Sequence, residues 1–143
     1  MGFGTSVVAM VLCLLASLVV GWPFEFVGHS VRDVLRQFVA VPVLILQVFL
    51  FLRMFRSGSK RALNAQRTVC CVMVTIAIVY GAAEFAELPN QEDIWKDQTF
   101  RLFVGFNALA TMFVVLGFCC SFFLLLLPRT SAFVSSRSAR APG

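Results

Sequence analysis

Few side chains in this sequence can do chemistry, and most of them sit where an apolar run begins or ends. The first group lies in GHSVRDVLRQF, residues 28–38. Ser30 can cap a helix there, with Asp33 at the third position after it, so the stretch predicts a helix start. His29, Arg32, Asp33, Arg36 and Gln37 then fall on one side at helical spacing. One chemistry for that cluster is a lipid-headgroup or quinone-ring site, with Arg32 and Arg36 as donors and His29 as a proton carrier. The simpler reading, a solvated interfacial turn with an Asp33–Arg36 pair, is the one adopted here.

The second group is Tyr80, Glu84 and Glu87, one face of a helix at i, i+4 and i+7. Carboxylates inside a membrane are costly and often functional. These lie near the end of their apolar run, where water reaches them. Pairing with Arg32 or Arg36 is therefore the expected use, and a proton or cation pathway is the sharper alternative.

The five cysteines, Cys13, Cys70, Cys71, Cys119 and Cys120, all fall within apolar runs. Adjacent cysteines on a helix point about 100° apart, so neither Cys-Cys pair makes a CxxC-type clamp. Small apolar packing residues are the reading, with S-palmitoylation of Cys70 or Cys71 as the lesser one. A single histidine gives neither bis-histidine haem ligation nor a catalytic triad. No metal-ligand spacing and no glycine-rich phosphate loop is present. The expectation is a protein that is not an enzyme, with no catalytic residue, no cofactor and no metal.

The elements around these residues are set by composition. Of 143 residues, 59% are hydrophobic and 13% are charged. Soluble domains carry about 25% charged residues. The apolar residues also come in runs, which is a membrane composition. Four runs predict spans at about 5–22, 36–55, 68–88 and 102–127. The first reads as a span rather than a cleaved signal peptide, because no Lys or Arg precedes Arg32.

Charge then orients the spans. The stretch RMFRSGSKRALNAQR, residues 53–67, carries five positive charges and no negative one. The segment after Leu127 adds Arg129, Arg137 and Arg140 without an acid, whereas residues 84–101 carry five acids against two bases. This alternation follows the positive-inside rule, with both termini on the inner side. The basic loop is thus a topology signal, and Arg53, Arg56, Lys60, Arg61, Arg67 and Arg129 are candidates for anionic headgroups such as cardiolipin. Nucleic acid is not an expected partner.

Helix contacts are read from small residues. Thr5, Ala9, Cys13, Ser17 and Gly21 make a stripe along the first span. Lipid gives helices no hydrophobic reason to associate, so such a stripe permits close approach. Ala9, Cys13, Ser17 and Gly21 are the packing candidates. Ala77 with Gly81 and Gly117 with Ser121 are shorter versions. Gln47, Asn107 and Thr111 are expected to hydrogen-bond between helices. Pro42 should kink the second helix, and Pro128 should end the fourth.

These readings converge on an all-α, polytopic integral membrane protein. Residues 1–128 form a bundle of four transmembrane helices, with both termini inside, and residues 129–143 form a flexible basic tail. The expected function is a non-catalytic accessory subunit of a larger membrane complex, such as a respiratory or ATP synthase complex of the mitochondrial inner membrane. Its partners would be other membrane subunits and anionic lipids. The endoplasmic reticulum and plasma membrane are alternative locations. A small oligomeric channel or transporter and a membrane anchor with a quinone pocket are the alternative functions.

Overall fold

The structure is a computed structural model that describes residues 2–21, 31–86 and 92–140, and among these there is no strand. The helices are α1 (Gly2–Gly21), α2 (Val31–Ser57), α3 (Lys60–Ala86), the short α4 (Glu92–Trp95), α5 (Gln98–Leu126) and α6 (Pro128–Arg140). Within them, Gly2–Val20, Phe38–Ser57, Lys60–Ala83 and Gln98–Leu126 are long and apolar enough to cross a membrane.

α1 packs on α2 and α5, and α3 packs on the same two helices. α1 and α3 therefore face each other across the diagonal of a four-helix square. Large apolar side chains such as Phe38, Leu109 and Phe123, each about two-thirds exposed or more, point outward. In water such a surface would be a liability, but against lipid tails it is the expected solvent boundary.

The buried interior mixes bulky and small side chains. Phe51, Met54, Phe118 and Leu125 fill it from α2 and α5, and Ala9, Cys13, Ala16 and Ser17 line α1. Gly117 of α5 lies where a Cβ would come within 3.1 Å of Ala16 Cβ. Gly81 of α3 lies where one would come within 3.0 Å of Thr111 Cγ2 on α5. Close approach at both places depends on the missing methyl group.

Two elements differ from the sequence reading. The basic stretch 53–67 is helical apart from a two-residue turn at Gly58 and Ser59, and α3 begins at Lys60, eight residues before the expected span. Gly58 ends α2 with a φ of 59°, and its N–H donates to Met54 O at 3.1 Å. Ser59 opens α3, with its Oγ accepting from Ala62 N–H at 3.3 Å. A left-handed glycine followed by a capping serine is sufficient punctuation for so tight a turn.

The other difference is the segment after Leu127, which is helix α6 up to Arg140 and not a flexible tail. Pro128 does end α5, but it also begins α6. Proline suits a first helical position, because its missing N–H would have no partner there anyway. α2, in contrast, remains helical through Pro42.

Candidate functional site

Two places concentrate polar chemistry. One is a seam along α1, and the other is the end of the bundle where α6 sits.

The seam starts with the small stripe of α1, whose short side chains let longer polar ones reach in from the neighbours. Near its C-terminal half, Ser17 Oγ donates to Gln47 Oε1 of α2 at 2.8 Å, both fully buried. One turn earlier, Cys13 Sγ lies 3.5 Å from Cys70 Sγ of α3. Gln66, also on α3, points its amide N–H at both sulfurs, 3.6 Å from Cys13 and 4.0 Å from Cys70. A turn before that, Ser121 Oγ of α5 donates to the Ala9 carbonyl at 2.9 Å. At the start of α1, Thr5 Oγ1 lies 3.2 Å from Thr130 Oγ1 of α6. The one stripe therefore meets a different helix at each level. Gln47 Nε2 and Gln66 Oε1 are buried without a hydrogen-bond partner.

Interhelix hydrogen bonds in a membrane are worth roughly 0.6–2 kcal/mol each. A double-mutant cycle of Ser17→Ala and Gln47→Leu should give a coupling energy in that range. Unfolding of each variant in mixed micelles would measure it. An additive pair would mean that the 2.8 Å bond does not hold α1 to α2.

At the other place, α6 crosses the end of the bundle that holds the start of α1, the α2–α3 turn and the end of α5. Thr130 and Val134 are its buried face. Phe133 meets Phe3 and Phe55 at ring-centroid distances of 5.7 and 6.2 Å. Arg137 lies over the same ring, its Cζ 5.6 Å from the centroid. Arg53, Arg56, Lys60, Arg61, Arg129, Arg137 and Arg140 are all exposed around this end. Seven cations on one rim form a strongly positive surface.

Arg67 differs from the other headgroup candidates. Its guanidinium donates to Leu125 O at 3.1 and 2.6 Å, to Ser131 Oγ at 3.2 Å and to Asn64 Oδ1 at 3.1 Å. A cation on the last carbonyls of a helix satisfies groups that have no intrahelical partner. Arg67 thus joins α3 to the α5–α6 corner from within the protein.

Of the packing candidates, Ala9, Cys13 and Ser17 are buried, and Gly21 closes α1. In the outer polar cluster, Tyr80 is half-buried on α3. His29 and Glu87 lie outside the described residues, as do the side chains of Arg32, Arg36 and Glu84. Gln66 and Cys70 are the functional candidates that sequence reasoning missed as a pair with Cys13. Their i, i+4 spacing on a helix was visible, but their meeting with Cys13 is a long-range event.

No family model matches this chain, and no curated protein or solved structure matches it either. What the fold itself defines is an all-helical protein with four helices long and apolar enough to span a membrane.

Proposed function

We propose that this chain is a non-catalytic accessory subunit of a larger membrane complex, with an energy-transducing complex of the mitochondrial inner membrane as its natural setting. The observation that carries the reading is the outer face of α5. Leu102, Phe106, Leu109, Phe113, Leu116 and Phe123 are exposed at alternating spacings of four and three, apart from the step across Cys120. A seam with that spacing stays against a partner helix that coils around it with a left-handed twist. In this reading the cationic rim faces the inner side and holds anionic phospholipid, cardiolipin in that setting, at about 1 kcal/mol per cation.

The test is the size of the native particle in a mild detergent, with co-migrating proteins identified by mass spectrometry. The expected result is a large particle of fixed stoichiometry whose extracted lipid is enriched in anionic species. A chain that migrates alone or as a small homo-oligomer overturns the proposal. That outcome would favour the channel reading, which draws on Gln47 Nε2 and Gln66 Oε1, the halves of two amides left without a partner in the bundle interior.

A further inference from the structure

The seam brings two thiols from different helices into contact. Cys13 and Cys70 are both 0% exposed, and their sulfurs are in contact at 3.5 Å. They come from α1 and α3, the two helices that sit on the diagonal and share little packed surface of their own. The remaining thiols point elsewhere, with Cys71 and Cys120 exposed and Cys119 partly so. Of the five, Cys13 and Cys70 are paired by the fold.

We propose that Cys13 and Cys70 form a reversible dithiol–disulfide couple that ties α1 to α3 across the bundle, oxidised by a small hydroperoxide. A disulfide bond is about 2.05 Å long, so the sulfurs need to close by about 1.5 Å. Small side-chain rotations and a slight inward shift of the two helices supply that movement.

The chemistry suits an apolar interior. Dithiol and disulfide are both uncharged, so switching between them leaves no charge in a region where a charge is costly. In the first step one sulfur attacks a peroxide oxygen, the O–O bond breaks, and the thiol proton leaves with the departing oxygen as water. The sulfur becomes a sulfenic acid. In the second step the other thiol attacks that sulfur, the S–O bond breaks, and a second water leaves. Two thiols are thereby oxidised by two electrons, and one peroxide is reduced to two waters. The Gln66 amide N–H, aimed at both sulfurs, steadies the negative charge that develops on whichever attacks.

The test uses the full chain in vesicles, with Cys71, Cys119 and Cys120 replaced by serine so that two thiols remain. After hydrogen peroxide treatment and denaturation, alkylation should find free thiols reduced from two to none. Dithiothreitol should restore both. Adding Cys70→Ser should abolish the bridge. The same bridge should appear by peptide mapping of the unmodified chain, which decides the matter if the triple variant does not fold. Retention of both thiols, or bridging of Cys13 or Cys70 to other cysteines in the unmodified chain, would overturn the proposal.

Discussion

Replacing Gly58 by valine is expected to release α6 from the end of the bundle and to lower stability by about 3 kcal/mol. Two effects combine at this position. Its φ of 59° is left-handed, which costs an ordinary residue about 1–2 kcal/mol and a β-branched one more. A Cβ there would also overlap Ser138 N and Val134 O, and it would lie 2.8 Å from Arg137 C. These are backbone atoms of a helix and cannot rotate aside. Trypsin should cut after Arg137 and at other basic sites of α6 much faster in Gly58→Val than in the unaltered chain. Gly58→Asn separates the two effects. Asparagine tolerates the left-handed region but still carries a Cβ, so its loss should be smaller and not zero. Equal protease resistance in all three proteins would mean that α6 does not dock on the turn.

Gly117→Leu should have the other large effect. Its Cβ would sit 3.1 Å from Ala16 Cβ and 3.6 Å from Leu12 O, and the rest of the side chain would have to push α1 away from α5. Overpacking of this kind costs about 1–3 kcal/mol. The Ser121–Ala9 hydrogen bond one turn along should be lost with the separation. Gly117→Ala needs a shift of only a few tenths of an ångström and should cost much less. Gly105 of the same helix is the internal control. No atom lies within 4 Å of the position its Cβ would take, so Gly105→Leu should leave stability in detergent unchanged. Unfolding curves that place Gly117→Leu beside Gly105→Leu would contradict the close α1–α5 approach.

The long apolar runs were legible because lipid-exposed helices must be apolar along their whole length, and four such runs leave little choice of secondary structure. Gln47 was legible too, as an isolated amide in an apolar run that needs a partner, and it accepts from Ser17. What failed was punctuation. SGS at 57–59 carried both the end of one helix and the cap of the next, but the surrounding positive charge suggested a loop. In α6, serines and arginines mask a buried pair at Thr130 and Val134 with a half-buried Phe133 beside it, and Pro128 was read as a stop without its second use as a start. The Cys13–Cys70 contact had no local signature at all. It depends on which helices end up on the diagonal, and no periodicity within one helix encodes that.

The way α1 meets a different neighbour at each level has a consequence for how the protein is made. Synthesis delivers α1 before the other described helices, when none of its contacts with them yet exists. Gln47 arrives next, then Gln66 and Cys70, then Ser121, and finally Thr130. Among the described helices, α1 is thus the earliest made and the last to be fully satisfied. Until α5 and α6 follow it, its small-residue stripe is open to any other helix nearby. A chain stopped after α3 would therefore leave the Ala9 and Thr5 levels of α1 without the α5 and α6 groups that meet them.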